Sequence, residues 1–206
     1  MVMHCENSLN LQRFWCKMNI KSLLNLTIDL LGKPTVTASV LSGETKDFAS
    51  LLKDVALPYF IAIIAAEFVG HVMFGTYMFR DSLSFITNEL VPRLSLLLIS
   101  GLLFTLLLHE ILHYYSLNAN LLRSFYIITY SFIPIFAASI LSGLLPKLTP
   151  LFNLSGLYSY YLLWCMLNAE YSDSDNKKIR NATMTSIAIM ILLHWALVGC
   201  ENLIFN

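Results

Sequence analysis

Charge is what this chain has least of. Only 13% of its 206 residues are Asp, Glu, Lys or Arg, and 13 basic side chains balance 13 acidic ones. A net charge of zero leaves no general basic footprint for nucleic acid, which is therefore not expected as a partner. Cysteine is also sparse: Cys5, Cys16, Cys165 and Cys200 show no C-x-x-C spacing and read as free thiols that say little about compartment. A secretory leader is missing from the start. Residues 1–17, MVMHCENSLNLQRFWCK, lack a continuous apolar core and a small-residue cleavage site. Met18 followed by NIKSLLNLTIDLLGKP is the more natural beginning, so residues 1–17 read as an upstream extension.

What fills the chain instead is apolar: 57% of it is hydrophobic, the composition of an integral membrane protein. Five stretches approach the ~20 residues needed to cross a bilayer. They fall at residues 55–79, 94–115, 125–145, 150–169 and 183–204. The predicted fold class is thus all-α, an integral membrane bundle of five transmembrane helices with a short N-terminal amphipathic helix. Residues 18–54 form a cytoplasmic segment and residues 55–205 the membrane domain.

Lys and Arg divide unevenly about these spans. Arg13, Lys17, Lys21, Lys33, Lys46, Lys53, Arg123, Lys177, Lys178 and Arg180 fall on one side, against Arg80, Arg93 and Lys147 on the other. The excess marks the cytoplasmic side, which puts the N-terminus in the cytoplasm and the C-terminus outside. In the segment before the first span, Ile20, Leu23, Leu24, Thr27, Ile28 and Leu31 recur at helical spacing. Such a stripe suits either a helix lying on the membrane surface or one packed on the other helices. Pro34 ends it, and residues 43–47, GETKD, read as a turn.

One short stretch points to chemistry. HEILH, residues 109–113, matches the helical zinc motif of metallopeptidases, in which two histidines four apart bind the metal and a glutamate acts as base. Counted from Leu94, His109 and His113 lie about 22 and 28 Å along the second span, at its cytoplasmic end. A third ligand is hard to find. The extended zinc pattern needs glycine and histidine where the chain has Ser116 and Ala119. The third to fifth spans hold no aspartate, and Glu201 falls at the opposite face of the membrane. If a metal binds, the set is His109, His113 and Glu170. Otherwise His113 is an interfacial helix end; no metal or cofactor is expected.

Ionisable groups inside the spans are the other candidates, because charge at mid-bilayer is costly and is retained mainly for function. Glu67 and His71 are four apart in the first span, His109 is in the second and His194 in the fifth. Glu67 pairs with His71 on one face, or with His194 or His109 across the bundle, or stays neutral and hydrogen-bonded. Pro134 removes a backbone donor in mid-membrane and predicts a kink, with Ser131, Tyr130 or a neighbouring helix satisfying the freed carbonyl. Ser155, Gly156 and Ser159 predict a small-residue face for close helix approach.

Read in order, Tyr130-Ser131-x-x-Pro134, the Leu145-Pro146 turn, and Gly156-x-Tyr158-x-x-Tyr161-x-Leu163 resemble the second half of the YIP (Ypt-interacting protein) domain family. A helix ending near Lys33-Pro34 ahead of the first span adds to the likeness, which covers residues 18–205 and is closer to bacterial members. Asp29 to Pro34 only distantly resembles the Asp-Leu-Tyr-Gly-Pro of the eukaryotic branch. The resemblance implies five spans, a bacterial inner membrane, and a non-enzymatic protein that organises or contacts other membrane components, or itself. Eukaryotic relatives are linked to Rab-type GTPases. Two further classes stay open: a zinc-dependent membrane peptidase on HEILH, and a small proton-coupled transporter or channel on Glu67, His71 and His194. Beyond the lipid bilayer, a membrane-protein partner or self-association is expected.

Overall fold

A computed structural model of the chain describes residues 20–44, 47–74, 90–152 and 154–205. The upstream extension, Cys5, Cys16, Lys46, Arg80 and residues 75–79 of the first expected span lie outside the described residues, as do the side chains of Cys200 and Glu201. Every described element is helical, which places the chain in the all-α class.

The first two helices form a hairpin. α1 spans Ile20–Gly32 and α2 spans Pro34–Ser42. Lys33 sits between them at φ −138° and ψ 58°, because a residue preceding proline is pushed out of the helical region. Pro34 thus ends one helix and, with its fixed φ and missing donor, opens the next. Thr37 ties the joint, its hydroxyl donating to the carbonyls of Asp29 and Lys33 at 3.1 and 2.9 Å.

The first long helix, α3, runs through Phe48–Leu51, a wider π-helical turn at Leu52–Ala56, and Leu57–Phe74. The wide turn lies just ahead of Pro58, whose ring would collide with the carbonyl four residues back in a regular helix. α4 spans Val91–Tyr114, α5 Leu121–Ser131 and α6 Ile133–Leu144. A 3-10 turn at Pro146–Leu148 and a short α7, Thr149–Phe152, lead into α8, Ser155–Glu170, and α9, Asn176–Phe205.

Two single stretches, Phe48–Met73 and Leu94–Tyr114, are long and apolar enough to cross a membrane. A third joins them if α5 and α6, bent by 41°, count as one span. The five expected spans are therefore not all matched by long helices. The helices described in the fourth expected span are the four-residue α7 and the 16-residue α8, the longer of them short of the ~20 residues of a full crossing. α9 begins seven residues earlier than the span at 183–204 and opens on Lys177, Lys178 and Arg180. The break between α5 and α6 falls where Pro134 requires it. Ser131 does not serve the freed carbonyl, however; its hydroxyl bonds back to Ile127 O at 2.7 Å.

α5 and α6 sit at the centre. α5 packs on α4 and α8, α6 on α3 and α8, α9 lies against α4 and α8, and α2 lies along α8. Tyr126, Tyr130, Ile127 and Ile133 of the central pair are fully buried together with Leu108 and Leu162 of the neighbouring helices. α3 and α6 cross most closely. An added Cβ on Gly70 would lie 1.7 Å from Gly143 O, and one on Gly143 would lie 2.8 Å from the Glu67 nitrogen. That backbone contact is the small-residue packing expected at Gly156 but found elsewhere: a Cβ on Gly156 meets nothing within 4 Å, while Ser159 is buried.

Candidate functional site

A cluster of polar contacts lies where the hairpin exit, the start of α5 and the end of α8 meet, and Arg123 is its centre. It stands in the first turn of α5, which Asn120 caps by accepting from Leu122 N at 3.1 Å. Its Nε donates to Glu170 Oε1 at 2.5 Å and its Nη2 to Glu170 Oε2. Nη1 donates to Glu44 O at 2.7 Å and Nη2 also reaches Ser42 O. The guanidinium lies 4.7 Å from the Tyr126 ring centroid, a cation–π distance. Tyr126 in turn donates to Leu41 O at 2.8 Å. One arginine therefore joins the exit of the N-terminal hairpin, the start of α5 and the last residue of α8.

The adjoining loops are fixed at the same end. Tyr115 OH lies 3.0 Å from Thr185 Oγ1 of α9, and Tyr171 OH donates to Asn118 O at 3.4 Å. Burial, with Glu170 beside it, pushes the Tyr171 hydroxyl up to about 12, so it stays protonated and able to donate at neutral pH. α4 closes with Ser116 N on His113 O and Leu117 N on Leu112 O, both 2.9 Å. This is the paired arrangement in which the first residue past the helix turns left-handed. Ser116 takes that place at φ 55° where glycine is usual. Ser116→Gly is expected to stabilise the protein by about 1 kcal/mol, the cost of a left-handed side-chain-bearing residue, seen as a higher Tm in detergent.

HEILH sits on the last turns of α4. His109 is half-buried with its Nδ1 enclosed and unpartnered, while Glu110 and His113 are exposed. Glu170, the conditional third ligand, is held bidentate by Arg123, and a guanidinium on both carboxylate oxygens competes directly with a metal. Among the described residues no group of three or more His, Cys, Asp or Glu is placed to hold a metal ion.

The intramembrane ionisables divide between two faces. Glu67 and His71 are half-buried on α3, flanking the Gly70 crossing with α6. His194 is exposed on α9, which packs on α4 and α8 rather than on α3. The residues of the family-like pattern are mostly structural. Tyr130, Ser131 and Pro134 are buried at the α5–α6 break, and Pro146 opens the 3-10 turn. Tyr158 of α8 donates to Leu31 O at 2.8 Å and Leu30 O at 3.2 Å in the hairpin. Tyr161 is exposed, its ring 5.7 Å from that of Tyr158. Cys165 is a buried free thiol.

Sequence reading missed the Arg123–Glu170 pair, although a signal existed. An arginine opening one apolar stretch and a glutamate closing the next meet if the two run antiparallel.

This arrangement defines a class: an all-helical protein with two helices, or three counting the bent α5–α6 pair, long and apolar enough to cross a membrane. No family model, curated protein or solved structure matches the chain.

Proposed function

We propose that the chain is a non-enzymatic, five-span membrane protein of the YIP type, which organises or interacts with other membrane components from a cytoplasmic polar end. The observation that carries this is the alternation of helix ends at Arg123. The start of α3 follows the hairpin exit there, α4 ends there, α5 starts there, α8 ends there and α9 starts after it. Five crossings result, with α5 and α6 as one broken span and α8 completed by the preceding turn. Lys53, Lys177, Lys178 and Arg180 fall on that same side, as the positive-inside rule asks. The exposed residues of α4 change from Leu98, Leu102 and Leu106 to Glu110, and on α3 the exposed charges Lys53 and Asp54, which stand among the exposed Phe48 and Leu52, end before Leu57. Both changes mark a headgroup boundary near the polar end.

Reporter fusions test the topology. Fusions after Asn118 and after Asp173 are expected inside and a fusion at the C-terminus outside. A reporter after Asp173 found outside would mean that α8 does not cross, and the five-span reading would fall. Elemental analysis of protein purified without chelator tests the non-enzymatic part. Zinc is expected well below one per chain and unchanged in His109→Ala/His113→Ala; stoichiometric zinc lost in that variant would instead make a metallopeptidase of it.

A further inference from the structure

The N-terminal hairpin is built for two surroundings at once. Its inner side is committed to the bundle: Leu30 and Ala38 are fully buried and Leu41 nearly so. Its outer side is apolar too, with Leu24, Ile28 and Leu31 of α1 and Val36 and Val40 of α2 between 46% and 62% exposed. Beside that apolar edge runs a polar stripe, Lys21, Asn25, Asp29 and Lys33, all exposed and each one helical turn from the last. An apolar edge beside a polar stripe is the pattern of a helix lying at the boundary between headgroups and acyl chains.

Three tyrosines of the long helices fix the depth. Tyr126 holds the hairpin exit at Leu41 beside Arg123 and Glu170. Tyr59, two residues past the Leu57 boundary of α3, meets Thr27 Oγ1 at 2.5 Å. Tyr158, in the first turn of α8, holds the carbonyls of Leu30 and Leu31 near the hairpin's turn. Tyr158 stands twelve positions before Glu170 on α8, about 18 Å of helix. The turn at Lys33 therefore stands farther into the bundle than the exit at Ser42. Leu154, just ahead of α8, and Leu157 in its first turn are exposed apolar side chains at the same end of α8 as Tyr158.

We infer that the α1–α2 hairpin is a half-membrane wedge, with the acyl chains and headgroups of the polar-end leaflet as its partner. Leu24, Ile28, Leu31, Val36 and Val40 enter the acyl region. Lys21 and Asn25 stay at headgroup level, and Lys33 extends toward it from the deeper turn along its four-carbon stem. The wedge widens the molecule in one leaflet only. This inference rests on the five-span reading, which puts α8 in the membrane.

Nitroxide labels test it in the full chain, made cysteine-free and reconstituted in phosphatidylcholine–phosphatidylglycerol nanodiscs. Single cysteines replace Ile28, Val36, Asn25, Leu157 and Lys177, all exposed, so none disturbs packing; an unchanged thermal transition confirms each fold. Collisional accessibility to oxygen and to a nickel chelate reports depth. Labels at Ile28 and Val36 are expected to match Leu157, favouring oxygen several-fold, with Asn25 and Lys177 favouring nickel. If Ile28 and Val36 behave like Lys177 while Leu157 stays in lipid, the wedge is wrong and the five spans stand. If Leu157 also favours nickel, α8 is outside the lipid and both fall.

Discussion

Gly70→Ala is expected to cost more stability than the same change at any other of the glycines Gly32, Gly43, Gly101, Gly143 and Gly156. Its Cβ would sit 1.7 Å from the carbonyl oxygen of Gly143, and the obstacle is backbone, which no rotamer change can clear. Separating α3 from α6 to make room would cost about 3 kcal/mol or more, at or beyond the upper range for overpacking. Gly143→Ala meets Glu67 N at 2.8 Å from the other side and should act in the same direction, less severely. The control is Gly156→Ala, where the methyl group meets nothing and the first turn of α8 gains less than the ~1 kcal/mol that a helix interior gains from losing glycine. Thermal unfolding in detergent should rank them Gly70→Ala below Gly143→Ala, below the unmodified protein, with Gly156→Ala level or above. A Gly70→Ala protein with unchanged Tm would mean that the α3–α6 crossing is not as close as described.

Arg123→Met should come second, at about 2–4 kcal/mol. The substitution keeps the apolar stem but leaves the Glu170 carboxylate and two backbone carbonyls without their donor. The fully buried figure needs discounting because the two side chains retain 19% and 18% of their surface. Adding Glu170→Met should recover part of the loss, since removing both partners is cheaper than stranding one. The specific readout is the hairpin. Limited proteolysis in the segment after Ser42 should speed up in Arg123→Met much more than in Glu170→Gln, because the arginine holds Ser42 and Glu44 through carbonyls that Glu170 does not touch. Equal proteolysis in both would assign the clamp to the ion pair alone.

The all-helical class, and helices long and apolar enough to cross a membrane, were legible in the sequence because they follow from composition and from apolar runs. Boundaries were less so. α3 begins at Phe48 and α9 at Asn176, several residues ahead of the apolar runs, because a helix continues through Lys53 and Arg180 once one side of it is packed. Pro134 announced its break because proline acts on its own chain. The α3–α6 crossing and the Arg123–Glu170 clamp were not foreseen, since each joins residues far apart in sequence. Ala66 with Gly70, and Ser139 with Gly143, are small residues at four-residue spacing. That pattern is no stronger than the one at Ser155 and Ser159, and only the fold separates them. HEILH looked like chemistry by its spacing, yet the carboxylate it needed is held by an arginine whose position the linear sequence does not reveal.

The Gly70–Gly143 contact also sets a timetable. A ribosome adding about 5–20 residues per second reaches Gly143 only after roughly 4–15 s of further synthesis past Gly70. α4, made in the interval, packs on α5 and α9 and gives α3 no substitute for α6. Under the five-span reading proposed above, the helix carrying Gly70 waits in the bilayer, or in the insertion machinery, with its closest-packing surface uncovered until its partner emerges. The order in which the helices leave the ribosome thus governs how long the Gly70 face of α3 stays bare.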